Sequence, residues 1–287
     1  MNPQPPTLLN RPARDLAGWV ACFDPSALPV LAATAAAIED WRANEDAVDA
    51  HLLAEAIVHD PLMTLKLFEH VARTTRRRRG WDDERGDAET VTEALVMLGI
   101  GPFFRTFGAQ PVAEEVLAAH PGALEGFRAV LRRAHRAAAF AMGFAAHRMD
   151  HDAAVLHEAA LLHDFAELLL WLRAPALARQ IADRQRREPG LRSAQAQREL
   201  LNLELPELQH ALMTRWRLPP LLVRITDDHR ADDVQVRNVL LAVRVARHSA
   251  SGWDNAALPD DVRDIGQLLQ LGEEPVRRLL LDIDAEA

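Results

Sequence analysis

The sequence predicts an all-α protein, and three observations carry that expectation. Ala, Leu and Arg dominate the composition, which favours helix. Tyr is absent and runs of β-branched or aromatic residues are few, leaving little from which to build strands. Apolar residues recur at helical spacing in one segment after another. With 287 residues, 49% of them apolar, the chain can bury a sizeable core as one large domain or two modest ones.

Each element follows from local signals. The opening "MNPQPPTLLNRPARD" is Pro-rich and lacks an apolar leader core, so residues 1–24 are expected to form a flexible, loosely held lead-in. A helix should begin near Leu28–Pro29 and run through "VLAATAAAIEDWRA". "DAHLLAEAIVHDPLMTLKLFEHVART" reads as two helices with an abrupt join. Asp60 is placed to cap the second, with Pro61 at its first position, where the missing N–H costs nothing. "TRRRRGWDDERGDAET" breaks the periodicity and is expected to be a loop. A helix ending near Leu98 is closed by Gly99, and "GIGP" leads into another. One long helix is predicted from Phe127 to Arg148, and a second from Ala153 to Leu172. "RAPALARQIADRQRREPG" and several shorter helices complete the chain. The expected divisions are therefore the lead-in (1–24), an N-terminal helical part (25–125), and a second helical part with C-terminal helices (126–287).

The bulk numbers exclude several classes. A formal charge of −9, from 33 basic and 42 acidic residues, weighs against nucleic acid as a partner. Cys22 is the only cysteine, which rules out an intrachain disulfide or a thiolate zinc site within one chain. No run approaches the ~18 apolar residues of a membrane span, so no membrane partner and a cytoplasmic location are expected.

His–Asp dipeptides occur at His59–Asp60, His151–Asp152 and His163–Asp164. Helix capping accounts for the first, and the polar junction "RMDHDA" for the second. The third sits in "LLHDFAELLL", whose apolar character nearly all round marks a buried helix. An unpaired buried carboxylate is very unfavourable, so Asp164 needs a metal, an arginine or a protonated histidine. His135, on the preceding helix, can face the middle of the next one. His135, His163 and Asp164 would then supply nitrogen and oxygen donors suited to Fe, Mn or Zn. A buried hydrogen-bonded pair without a metal is the competing reading, and both stand open at this point. His147 and His151 have a metal-binding spacing but lie at a helix end and are expected to be exposed. Arg76 to Arg79 are followed at once by Asp82, Asp83, Glu84 and Asp87, which makes a solvated loop the expected role. Trp171 and Trp216 are expected in the core.

"LHEAALLHDFAELLLW" resembles the core of the HD superfamily of phosphohydrolases and, more narrowly, the HDOD domain. "LPVLAATAAAIEDW", "LLAEAIVHDPLMTLKLFEHV", "TVTEALVMLGIGPFFRTF" and "MTRWRLPPLLVRITDDHR" are similar to successive HDOD segments, in order, from about Leu28 to Arg230. The departures bear on activity. Ala166 and Glu167 follow Phe165 where active HD enzymes continue to Gly-Lys. The histidine pair after the Trp-x-Leu-Pro segment is reduced to Asp228–His229, and Leu205 stands where a histidine is often found. Arg247 aligns with the later metal-binding aspartate, and its fixed positive charge would repel a cation but could pair with Asp164.

The resemblance thus implies a bacterial signal transduction or regulatory protein, non-catalytic or weakly active, that binds a small ligand or a protein partner through a degenerate HD pocket and its helical surface. No cofactor is expected. The alternative is a metal-dependent phosphohydrolase acting on nucleotides or cyclic dinucleotides, with His135, His163 and Asp164 on Fe, Mn or Zn and Asp228 or His229 as a further ligand. A nucleic-acid adaptor using Arg73 and Arg76 to Arg79 is the third and weakest reading.

Overall fold

The computed structural model describes residues 8–79, 88–188, 190–230 and 232–286. These residues form helices joined by turns and loops, with no strand among them. The pairing of Val30 with Val112 is the sole β-type bridge among them. The helices are α1 (Leu16–Ala21), α2 (Ala32–Arg42), α3 (Ala50–Ile57), α4 (Pro61–Arg79), α5 (Val91–Leu98), α6 (Ile100–Thr106), α7 (Ala113–Leu117), α8 (Pro121–His147), α9 (Ala153–Leu162), α10 (Phe165–Arg173), α11 (Pro175–Arg187), α12 (Ser193–Leu201), α13 (Leu205–Trp216), α14 (Pro220–Ile225), α15 (Val234–His248), α16 (Leu258–Leu269) and α17 (Glu273–Glu286). Three 3-10 turns, Pro25–Ala27, Glu45–Ala47 and Asp228–Arg230, complete the described elements.

The chain packs as two compact units: Met1–Ala129 with Asp164–Pro219, and Val130–His163 with Pro220–Ala287. The sequence suggested a single crossover near residue 125. Packing instead returns residues 164–219 to the first unit, because α10 and α13 lay their apolar faces among its helices.

In the first unit, α5 packs on α3 and α4, and α10 packs on α11 and α13. Asp49 caps α3 through Leu52 N–H, and Thr90 and Glu93 form a reciprocal capping box on α5. Gly99, at φ 83, ends α5 and starts α6 at a backbone angle that a side chain would strain. Gly126 lets Trp171 lie flat on α8; a Cβ there would come 2.3 Å from the indole. Trp171 and Trp216 are both buried, as expected.

Residues 16–24 depart from the expected loose lead-in. Trp19 is fully buried, and its Nε1–H donates to Leu201 O at 2.8 Å. Leu9 N–H donates to Arg173 O, and Asn202 Nδ2–H to Ala13 O. The segment is thus strapped to the ends of α10 and α12, while residues 1–7 lie outside the described residues. Around Pro29 the backbone is not helical: Val30 pairs with Val112, and α2 starts only at Ala32. Helix α4 also runs past the predicted loop start to Arg79. The remainder of that loop, 80–87, and the side chains of Arg76 to Arg79 lie outside the described part of the chain.

In the second unit, α15 is the central helix and lies against α9, α14 and α16, with α17 on α16. Phe140 and Phe144 of α8, Leu156 and Ala159 of α9, and Val239 and Ala242 of α15 are buried there.

Candidate functional site

The three His–Asp dipeptides have three different fates. Asp60 is fully buried. Its Oδ1 accepts from Leu62 N–H (2.9 Å) and Met63 N–H (3.0 Å), which caps α4, and its Oδ2 accepts from Leu31 N–H (2.7 Å). The cap predicted from "HDP" is present, and it also ties in the chain before α2. Burial raises the Asp60 carboxyl above its usual range, against the lowering effect of those N–H donors and the Thr34 hydroxyl. Lys66, six residues on, is also buried; its ammonium donates to Leu28 O (2.6 Å) and Gln110 Oε1 (2.5 Å). Burial lowers Lys66 to about 8, and the Asp60 and Asp24 carboxylates partly offset this. The sequence reading missed Lys66: an isolated lysine in an amphipathic helix gives no sign that it points inward.

At the second dipeptide, Met149 takes a left-handed conformation (φ 54) and ends the turn after α8. His147 and His151 are exposed, as expected. Asp152 Oδ2 accepts from Gln235 Nε2–H at 2.5 Å, which joins the start of α9 to the start of α15.

The third dipeptide corrects the prediction of one helix from Ala153 to Leu172. The helix is broken at His163–Asp164: α9 stops at Leu162 and α10 starts at Phe165. Asp164 (φ −113, ψ 23) sits at the N-cap of α10, with no side-chain capping bond. An Asp in mid-helix offers the backbone competing interactions, which favours such a break. Neither residue is buried in an apolar helix as expected; both are partly exposed. His163 Nε2 lies 3.0 Å from Asp228 Oδ1, with the two side chains 10% and 48% exposed. The imidazole donates when Nε2 carries the proton.

The other candidate residues lie as follows. His135 is half-buried on α8, and Arg247 is exposed in the last turn of α15. His229 lies in the 3-10 turn that begins with Asp228, and its side chain is outside the described part. Leu205 is a buried first residue of α13. Ala166 is buried in the first turn of α10, where Phe165 stacks on Trp216 with centroids 5.9 Å apart. The structure thus joins His163 to Asp228. Among the described residues, no three His, Cys, Asp or Glu side chains are gathered so that they could hold a metal ion. The described donors do not fit a three-ligand centre. Arg73 pairs with Glu69 at 3.2 Å. Among the described residues, no helix is long and apolar enough to cross a membrane.

Sequence reasoning also missed Arg136 of α8. It forms two bonds to Asp284 of α17, Nε–Oδ1 at 2.6 Å and Nη2–Oδ2 at 3.0 Å. "LRRAHR" presents several arginines, and nothing local separates this one from its neighbours.

Comparison with known proteins places the fold. The structure is similar to the MmoQ response regulator of Methylococcus capsulatus str. Bath, with a TM-score of 0.63 and 22% identity, covering 89% of this chain and 98% of that one. It is similar to a virulence factor from Campylobacter jejuni, with a TM-score of 0.62 and 17% identity, covering 95% and 99% of the two chains. An HDOD domain protein of unknown function from Geobacter sulfurreducens gives a TM-score of 0.51 and 16% identity, covering 94% of each chain. At these identities the likeness is one of fold. No curated protein matches the chain. The HDOD domain model matches residues 28–231, the stretch over which the quoted motifs follow in order, and on that match the chain belongs to the HDOD domain family.

Proposed function

We propose that this protein is a signal transduction component, non-catalytic or at most weakly active, which binds a small ligand or a protein partner through the degenerate HD site at His163–Asp164 and the surrounding helical surface. The observation that carries this reading is the His163–Asp228 hydrogen bond of 3.0 Å. With the proton on Nε2, that nitrogen donates to the carboxylate and offers no lone pair to a cation. Asp228 stands where the resemblance expects a metal-facing histidine, so a protein group replaces what a metal centre would recruit. Arg247, Leu205 and Ala166–Glu167 support the same reading, since each departs from the pattern of active HD enzymes. The response-regulator description of a structural neighbour agrees with a place in signalling.

The test is metal analysis of wild type and His163→Ala purified without chelators, alongside a turnover screen of nucleotides and cyclic dinucleotides with added Mn²⁺. The expected result is substoichiometric metal in both proteins and no turnover. Stoichiometric Fe, Mn or Zn that disappears in His163→Ala, or hydrolysis abolished by a chelator, would overturn the proposal and favour the metal-dependent phosphohydrolase.

A further inference from the structure

The second unit carries an arrangement that neither the family match nor the HD motif accounts for. Helix α17 lies beyond the matched residues 28–231. It meets the unit along a single stripe. Val276 and Leu280 are fully buried, and Ile283 lies over Gly143 of α8, where a Cβ would come 2.3 Å from Ile283 Cδ1. The rest of α17 faces outward; Leu281 is 50% exposed, and Arg277, Arg278 and Asp282 are exposed beside it. One turn of helix beyond Leu280, Asp284 accepts from Arg136 through both oxygens and from Trp253 Nε1–H at 3.2 Å.

Arg136 makes further contacts. Its Nη1–H donates to Ala246 O (3.2 Å) and its Nη2–H to Ser249 Oγ (2.8 Å), while Ser249 Oγ–H donates to Val245 O (2.6 Å). The guanidinium therefore satisfies one C-terminal carbonyl of α15, that of Ala246, where a cation is favoured by the helix dipole. Its carbon lies 5.7 Å from the centroid of the Phe140 ring. The residue after Ala246 is Arg247, and the residue before Arg136 is His135. One ion pair thus connects α17 to the backbone that carries two HD-site candidates.

We infer that α17 is a regulatory latch. Docked, Asp284 fixes Arg136 against the end of α15 and holds the last turn of that helix, with Arg247, in place. Released, it leaves Arg136 without its carboxylate and the α15 cap loosens, so the end of α15 that carries Arg247, a residue the proposed function counts with the HD site, changes with it. This regulation rests on reading the HD site as a binding site. Arg136 and Asp284 are positioning residues in it.

Hydrogen–deuterium exchange of the full chain tests the latch without any ligand. In wild type, amides of 276–286 should exchange at least about tenfold faster than those in the middle of α8, as an element that opens on its own. Asp284→Asn, which keeps the shape and removes the charge, should speed α17 by roughly tenfold more and speed residues 245–250 with it. Residues 155–161 of α9 should be unchanged. Ile283→Ala releases α17 without touching the ion pair and should also loosen 245–250. Exchange of α17 at the same rate as the middle of α8 in wild type would overturn the inference. So would a faster α17 in either variant with 245–250 unchanged. Because exchange reads no ligand, a metal-loaded His163 would refute the proposed function while leaving this result intact.

Discussion

Replacing Asp60 with alanine tests the most heavily connected polar group of the first unit. Its carboxylate is fully buried and accepts three backbone N–H groups, from Leu31, Leu62 and Met63. Asp60→Ala strands all three. Each buried orphan donor costs about 1–3 kcal/mol, and loss of an N-cap alone costs about 1 kcal/mol. These overlap at Leu62 and Met63, and water can partly fill the space left, so the low end applies: about 3–4 kcal/mol. The buried Lys66 ammonium also loses its main counter-charge, which pushes in the same direction. Domains commonly hold about 5–15 kcal/mol in all, so the variant should fold with a clearly lowered urea midpoint. Far-ultraviolet circular dichroism, with tryptophan fluorescence in parallel to check for a single transition, gives the change from the midpoint at constant slope. Asp60→Asn retains one acceptor oxygen and should lose roughly half as much. A loss under about 1 kcal/mol for Asp60→Ala would refute the reasoning, because water would then be satisfying donors assigned to the carboxylate.

Two further outcomes follow from the first unit. Lys66 is lowered from 10.5 to about 8 on folding, so between those values the unfolded chain holds a proton that the folded chain has released. Stability should therefore rise with pH across that window, by up to about 3 kcal/mol. Urea midpoints of wild type against Lys66→Met from pH 7.5 to 9.5 should diverge in favour of wild type as pH rises, and parallel curves would count against a buried ammonium. Trp19→Ala should cost about 3–5 kcal/mol, as other buried large-to-small changes do, and should also leave Leu201 O without its indole donor. A change below about 1 kcal/mol in thermal or urea unfolding would restore the loose lead-in expected from the sequence.

What could be read in advance was whatever a few neighbouring residues encode. The Asp60–Pro61 cap needs only the two residues and the apolar run after them, and the structure has it. The positive-φ Gly99 at the end of α5 is equally local, and burial of Trp171 follows from its apolar flanks and that of Trp216 from the Leu218–Pro219 that closes its helix. The strap through Trp19 could not be read the same way. Its anchor is Leu201, 182 residues away, and the Pro-rich context carries the usual composition of a free tail. Lys66 failed for a related reason. Periodicity says which face of α4 is apolar, but not that acceptors at Leu28 and Gln110 wait on that face for an ammonium.

The break at His163–Asp164 is where legibility matters for function. A stretch that is apolar nearly all round has no phase, so "LLHDFAELLL" reads as one helix even though it is two. The partner that makes sense of the break, Asp228, is 65 residues away. From the sequence alone Asp228 counted as a loss, a carboxylate where a histidine was expected. In the structure it has a positive role. A histidine at that position could share a cation with His163 but could not accept its proton with the charge of a carboxylate. On the proposed reading, the substitution and the hydrogen bond belong to one change, in which a protein carboxylate stands where a metal-site histidine is expected. The proposed reading extends to Arg247, which the resemblance aligns with a metal-binding aspartate and whose fixed charge would repel a cation there. It follows that restoring one residue should not restore a metal site: Asp228→His alone leaves the guanidinium of Arg247 in place. Metal retention by the double variant Asp228→His/Arg247→Asp, but not by either single variant, is the expected outcome. Stoichiometric metal in Asp228→His alone would show that the arginine carries none of the exclusion.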